Sequence, residues 1–582
     1  MKTRYHIILS LITLTVSMGC NDIFLERFPK SSLSPETYFS TASELETYTN
    51  SFYSQNLETF HAFTSEYTLR FGDDVEPNTV ATAYSGLRTT PASGGGWTWT
   101  ALRNINFFLE HSSNCPSETA VKQYNSVAKF FRAYFYYNMM VRFGDLPWYD
   151  NVIGQSDEEF LTKPRDSREI IFSHITEDLD YAIENASSTV DPTMISKWTA
   201  MAFKSRVCLF EGTFRKYRNL SGWEDILRQG ADAAAKLMNA KVYSISKSGT
   251  ASTAYANLFL NETPDPEFIL AKRFKASLNI THYTNLHIQG PSQGHPSMTR
   301  ALFNSYLNSD GTRFTDREDY ATEDFYNSTQ NRDPRLSQSI RTQGYTYPNS
   351  SSVLQPDFNS TTTGYQIRKF VTDVTTTNGS NAMPYIRYAE VLLNYAECKA
   401  ELGTITQSDL DISIKLLRDR VNMPGLNLAE ANSNPDPYLS SQYLNVNGSN
   451  KGIILEIRRE RRVELFLEAN FRWNDVLRWK EGHLFAEHPH GMYIAGPGEI
   501  DFDNDGTTDL VIYSGSEPVH EGSIQYANIA SLNLTNGTSG EIVVSPSIKR
   551  VWDENKDYFY PIPLQDLQLN PNLVQNPGWA TQ

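Results

Sequence analysis

The stretch VAKFFRAYFYYNMMVRFGDLPWYD, Val127 to Asp150, limits the fold more than any other part of the chain. At 3.6 residues per turn its apolar side chains fall on nearly every face, so the helix it forms has to be enclosed by other elements. Gly144 and then Pro147 stop it. The aromatic residues within it therefore read as core. The flanking sequence, from Ser34 to about Asn239, carries one helical pattern after another and supplies the neighbours such a helix needs.

A second helical block holds PYIRYAEVLLNYAECKAELG, Pro384 to Gly403, then SDLDISIKLLRDRVNMPGL, then IILEIRRERRVELFLEANFRWNDVLRWKEG, Ile453 to Gly482. A helix, a short Gly-containing turn and a second helix, with Tyr, Ala and Leu at helical spacing, is the pattern of tetratricopeptide-type hairpins. The repeats are too irregular to count by period and read as helix pairs inside a larger fold. Within this block RRERRVE, Arg458 to Glu464, interleaves opposite charges at i, i+4 spacing and reads as ion pairs along a helix, not as a basic patch.

Between the blocks, roughly Lys241 to Met383, and again from Gly491 to Lys549, the texture changes to Ser, Thr, Asn and Gly with short apolar runs such as EFILAKRF and EIVVS. These are loops and short strands, and aromatic residues persist through them, so they are not a disordered tail. Function tends to sit on such excursions.

The N-terminus reads MKTRYHIILSLITLTVSMGC: two basic residues, a short interrupted apolar run, then a small residue and Cys20. Residues 1–19 form a signal peptide, and Cys20 matches the bacterial lipoprotein pattern, with Ser17 where Leu is more usual. Loss of residues 1–19 removes Lys2 and Arg4 and no acid, leaving 49 Lys and Arg against 67 Asp and Glu, a net charge of −18. Nucleic acid is a poor partner for such a surface. No later run is long and apolar enough to span a bilayer, so the membrane is reached through lipid only. The other cysteines, Cys115, Cys208 and Cys398, are spaced too widely for a zinc site or a disulfide framework. Cys208 and Cys398 read as small buried hydrophobes. A chain of 582 residues can bury a large core as one large domain or two intimately joined ones.

Seven stretches together resemble one family. They are NDIFLERFPKSSLSPETYF, FFRAYFYYNMMVRFGDLPW, MAFKSRVCLFEGTF, NRDPRLSQSI, MPYIRYAEVLLNYAECKAELG, RRERRVELFLEANFRWNDVLRW and YFYPIPLQDLQLNPNLVQNPGW. In this order they are similar to the SusD/RagB lipoproteins, surface nutrient-binding partners of TonB-dependent transporters in Bacteroidetes. The resemblance covers the chain from Cys20 to Gln582. It implies a mostly α SusD-like fold with four tetratricopeptide-like helix hairpins and an irregular loop and short-strand lobe, split as 20–240 and 241–582. It also implies an outer-membrane, outward-facing position above a SusC-like transporter, with an oligosaccharide as usual cargo and a peptide as the alternative.

The Gly-rich stretch PASGGGWTWT offers the first candidate site. If extended, it projects Trp97 and Trp99 to one side, as a platform for the C–H faces of a sugar ring. The resemblance places an aromatic contact of the family at one of these two positions. The rival reading packs Trp99 on the following helix, against Leu102 or Arg103, as a hydrophobic staple. Polar partners for hydroxyls nearby are Asp73, Asp74, Asn78, Tyr84 and Arg88. Tyr283 and His287, in HYTNLHIQG, lie roughly where the family supplies another contact, or else on a plain strand face.

EIDFDNDGTTDLVIY sets Asp501, Asp503, Asp505 and Asp509 at D-x-D-x-D-G-x-x-D spacing with Gly506 at the turn. Carboxylates this close favour a hard cation. The twelfth position is Ile512 and LVIY follows, so the expectation is a structural Ca²⁺ loop running into a strand, set against a solvated acidic turn. No nucleophile-elbow, zinc-helix or phosphate-loop motif occurs. With 67 acids the sequence alone leaves a glycosidase open; the resemblance implies a binder instead, and the lipid anchor and long loops do not fit a tetratricopeptide adaptor.

Overall fold

The computed structural model describes residues 38–57, 60, 69–290, 294–348, 350–372 and 378–581. The leader and Cys20 lie outside the described residues. Helices α1 (Ala42–Asn56), α2 (Thr100–His111), α3 (Glu118–Phe143), α4 (Arg168–Asn185), α5 (Lys197–Lys216) and α6 (Trp223–Ala240) form the first block. As its all-round apolar pattern requires, α3 is enclosed by α1, α2 and α4, with Phe130, Phe131, Tyr136 and Met140 fully buried. Ser117 caps its N-terminus by accepting from the Ala120 N–H, and Gly144 ends it at φ +77°.

The second block comprises α9 (Tyr388–Glu401), α11 (Lys451–Glu464) and α12 (Phe471–Trp479). The helix α9 packs on α5, α6 and α11, and α12 packs on α5, so the two helical blocks share one continuous core. Cys208 and Cys398 are both fully buried and unbridged, as expected of small apolar fillers.

The charged helix α11 departs from the sequence expectation. Arg458, Arg459, Glu460, Arg461, Arg462 and Glu464 are all buried, and their main partners lie on other elements. Arg335 reaches Glu460 at 2.6 Å and Glu464 at 3.0 Å, Arg387 reaches Glu464 at 2.6 Å, and Arg461 reaches Asp475 at 2.8 Å. Charges on every face of a central helix can be buried only when each neighbour supplies a counter-charge. Arg458 adds ring contacts to its counter-charges: it lies 3.6 Å from Glu481 and 3.7 Å from Glu401, and its guanidinium sits over the rings of Trp479, Tyr443 and Tyr217, at 4.1, 5.1 and 5.1 Å.

The intervening segments build the irregular lobe. Among the described residues the sheets have two or three strands. β1 (Val75–Glu76) pairs with β3 (Ser297–Met298), β2 (Phe268–Lys272) with β4 (Met383–Arg387), and β5 (His490–Ile494) with β9 (Gly540–Val543), all antiparallel. β6 (Gly498–Ile500) runs antiparallel to β7 (Leu510–Tyr513), which runs parallel to β8 (Gln525–Asn528). The runs EFILAKRF, LVIY and EIVVS thus supply β2, β7 and β9. The segment after Tyr283 is not a strand but a short helix, α7 (Thr284–Gln289), whose N-cap is Tyr283. Two further short helices, α8 (Arg300–Ser305) and α10 (Pro437–Gln442), carry side chains into the site described next.

Candidate functional site

The glycine run of PASGGGWTWT does not hold an extended platform. Gly94, Gly95 and Gly96 all adopt positive φ, at +75°, +58° and +84°, and the Trp97 N–H donates to the Gly94 carbonyl at 2.9 Å. Such a left-handed turn suits glycine, and it folds the loop back so that both rings point inward. Trp97 is only 7% exposed, edge-on to Phe143 at 5.0 Å and to Trp99 at 5.3 Å. Trp99 is the N-cap residue of α2, and its ring lies against Phe135, Tyr136 and Tyr149 of α3 and the segment after it. The rings are part of the wall of the helical lobe.

Arg88 is likewise occupied. It bonds Asp557 at 2.8 Å and lies over the rings of Tyr560 and Trp579, pinning the C-terminal segment to the loop. Tyr283 is 39% exposed at the tip of α7. His287 is buried one turn further on, and burial together with the Arg70 charge pushes its imidazole down to about 3. It is a neutral core histidine.

Asp73 and Tyr84 do meet, in a cleft of about 370 Å³ built where three distant chain segments converge. The floor is the turn Gly72–Asp74 with Tyr84, whose hydroxyl donates to the Gly72 carbonyl at 3.2 Å. One wall carries Arg300 and Asn304 from α8 and Tyr438 and Gln442 from α10. Tyr320 stands beside them, in a loop held by Arg300 through the Tyr320 and Ala321 carbonyls at 3.0 and 2.9 Å. The opposite wall is the turn Gly482–Ala486 leading into β5, with Phe485, His488 and His490, and Glu541 of β9.

The charges that line this cleft are largely paired. Asp73 faces Arg472 at 2.7 Å and Arg462 at 2.9 Å. Burial alone would raise its carboxyl, but Arg472 and Arg462 outweigh that and hold it below the usual range. Asp74, bound to Arg462 at 2.5 Å underneath, is pushed the other way by burial. Glu541 bonds Arg300 at 2.8 Å and His490. Arg550 sits over the Tyr84 ring and pairs with Glu76, whose carboxyl burial raises to about 7 against that pairing.

Asn304 Oδ1, His488 Nδ1, Arg300 Nε and Arg550 Nε in the lining are buried without a hydrogen-bond partner among the described residues, and of these Arg300 Nε is ion-paired with Glu541. Orphaned acceptors and donors are uncommon in a folded interior and mark places where a further group is accommodated. A cleft of this size, with three tyrosines, a phenylalanine and a few convergent polar atoms, has the make-up of a small-molecule site. A neighbouring cavity of about 430 Å³ between α3, α5 and α12 is also lined by charged groups, Arg206 paired with Glu390, Arg461 with Asp475 and Arg478 with Glu397, alongside Arg70 and Arg142.

Asn78 lies on the rim of a separate groove, described below. In the aspartate loop, carboxylate oxygens of Asp501, Asp503 and Asp509 lie within 4.8 Å of one another. Asp505 stands aside, accepting from the Thr507 N–H at 2.8 Å. Asp501 also accepts from the N–H groups of Asn504 and Gly506, at 2.6 and 2.8 Å, which fixes the turn. Sequence reasoning missed Tyr320, Tyr438, Asn304 and His488. For Asn304, Tyr320 and His488 the only signal was position, in or beside the Ser, Thr and Asn-rich excursions, and Tyr438 lies within the second helical block, away from both.

A helical scaffold whose long inter-helix segments fold into one loop-built lobe with a ring-lined cleft defines a class of binding protein. Residues 266–579 match the SusD family model, and residues 34–218 match a model described as starch-binding associating with outer membrane. The chain belongs to the SusD family. It is similar to SusD-like protein P2 of Formosa agariphila, 28% identical over 228 residues, a match spanning 37% of this chain and 44% of that relative. A crystal structure of a SusD-like carbohydrate binding protein from Bacteroides fragilis superposes at TM-score 0.69 with 22% identity, covering 92% of this chain and all of that one. A SusD-like protein from the same species gives 0.69 at 18% identity, covering 95% and 100%.

Proposed function

We propose that the protein captures oligosaccharides at the cell surface, tethered by lipid on Cys20, and passes them to a SusC-like TonB-dependent transporter in the outer membrane. The observation that carries the binding half is the cleft itself, with the half-buried Tyr320 and Tyr438 as ring surfaces over a floor closed by the buried Tyr84 and Phe485, and with Asn304 Oδ1 and His488 Nδ1 unengaged. Rings cover the C–H faces of a sugar, and the spare polar atoms meet its hydroxyls. Family membership and the fold of the carbohydrate-binding relative support the same reading. Roughly micromolar to millimolar affinity, about −8 to −4 kcal/mol, suits a carrier that has to release its cargo.

A binder accounts for the cleft better than a hydrolase. A glycosidase needs two carboxyls free to reach the sugar. Asp73 is bound by Arg472 and Arg462, Asp74 beneath it by Arg462, and Glu541 is shared between Arg300 and His490. The test is calorimetry of the protein against a panel of oligosaccharides, with Tyr320→Ala alongside. Binding weakened about tenfold in that variant is expected. Equal binding by both proteins refutes the cleft, and cleavage of any sugar in the panel refutes the binder.

For the aspartate loop we propose a structural Ca²⁺ held by Asp501, Asp503 and Asp509. Phe502 between the first two is fully buried, so the loop is anchored to the lobe. A ligand that binds only the folded form raises the unfolding temperature. Millimolar Ca²⁺ is expected to raise it in the wild type and not in Asp503→Asn, and no shift in the wild type rules the ion out.

A further inference from the structure

An open groove of about 450 Å³ shares strand β9 with the cleft. The cleft takes Glu541 from this strand and the groove takes Ile542 and Val543. The far wall of the groove is the outer face of the β7–β8 pair. In that parallel register Tyr513 stands opposite Asn528 and Val511 opposite Tyr526. Alternation sends Leu510 and Ile512 into the core, and leaves Tyr513, Tyr526 and Asn528 half-buried on the groove side.

The lining contains no Asp, Glu, Lys, Arg or His. In a chain in which 20% of residues are charged, an aromatic groove of this size without one is a selective feature. Its polar character comes from the amides of Asn78, Asn359, Asn528 and Asn533, while the Thr361 hydroxyl is bonded to Ser297 and the Thr362 hydroxyl to the Glu76 carbonyl. A primary amide offers both donors and acceptors, and so do sugar hydroxyls. An ion placed there would lose water without gaining a counter-charge.

One ring is held in advance. His520 stacks on Tyr526 with centroids 4.2 Å apart and planes 2° from parallel, and the Glu521 N–H donates to its hydroxyl at 3.1 Å. A fixed ring meets a ligand with little loss of side-chain freedom.

We propose that this groove is a second saccharide-binding surface, separate from the cleft and selective for uncharged sugars, with Tyr526 and Tyr513 as its ring contacts and the asparagine amides as its hydroxyl partners. Its occupancy does not depend on the reading of the cleft.

The test is calorimetry of the full chain with neutral maltoheptaose, cellohexaose, xylohexaose and mannohexaose, and with tetragalacturonate as the anionic counterpart. Wild type, Tyr526→Ala in the groove and Tyr320→Ala in the cleft are compared. The expected result is a neutral-sugar binding event that Tyr526→Ala weakens about tenfold and Tyr320→Ala leaves in place. Asn359→Ala, at an exposed side chain, should weaken the same event and serves if Tyr526→Ala unfolds. The proposal is overturned if both groove variants bind all four neutral sugars with wild-type affinity and stoichiometry, if the weakened event belongs to tetragalacturonate, or if no neutral sugar binds at all. Loss confined to the Tyr320→Ala event with a silent groove overturns the groove and leaves the cleft standing.

Discussion

Trp97 and Trp99 on the glycine-rich loop and Tyr513 and Tyr526 on β7 and β8 are both pairs of rings on short segments, yet the first pair is packed into the helical lobe and the second lines an open groove. The difference does not come from backbone flexibility. The glycines are the more permissive backbone, and they use it to turn the rings inward onto Phe135, Tyr136 and Phe143 of α3. The tyrosines sit on a regular ladder whose other face already fills the core with Leu510 and Ile512. Whether a ring is offered to a ligand is decided by what the neighbouring element still has to bury.

The sharpest way to break this comparison is to delete a ring from each region. Trp97→Ala is expected to destabilise the fold by about 3–5 kcal/mol, measured by denaturant unfolding, while sugar affinity of the folded protein is unchanged. A variant that folds as well as wild type and loses sugar would invert the assignment. A buried region held by charge sharpens the contrast. Burial alone would raise the Glu464 carboxyl, but Arg420, Arg387 and Arg335 outweigh it and hold it below the ordinary range. Because its folded-state pKa is depressed, its contribution is present above about pH 4.3 and is lost as pH falls below that. Glu464→Gln should cost about 3 kcal/mol at pH 7, and the gap from wild type should narrow in acid. For Trp97→Ala the gap should stay constant across the same range.

Smaller effects follow. Gly96 has φ +84°, and a Cβ there would lie 3.1 Å from Arg142 Nε. Gly96→Ala should cost about 1–2 kcal/mol and shift tryptophan fluorescence to the red as the turn loosens. Tyr526→Ala should change stability by at most about 0.5 kcal/mol, as expected of a side chain that supports no core. A large loss there would make Tyr526 a structural ring like Trp97.

Much of the fold was legible because it rests on local pattern. The all-round apolar α3, its stop at Gly144, and the strands in EFILAKRF, LVIY and EIVVS could be read from spacing alone. The charged helix α11 was misread for a physical reason: i, i+4 alternation looks the same whether the partners are on the same helix or on Asp73, Arg335 and Arg387 far along the chain. The site was less legible still. Asp73 and Tyr84 were within reach because they lie on the loop that forms the cleft floor, whereas Tyr320, Tyr438 and His488 come from segments separated by 118 and 50 positions, a closeness made only by the fold. Trp97 misled because a loop was equated with exposure.

The central claim is that sugars meet the loop-built lobe and not the tryptophan loop. Calorimetry with any neutral oligosaccharide that binds, comparing wild type, Trp97→Phe and the double variant Tyr320→Ala and Tyr526→Ala, tests it most directly. The account predicts wild-type affinity for Trp97→Phe and loss of measurable binding in the double variant. Intact binding in the double variant together with a weakened Trp97→Phe contradicts it.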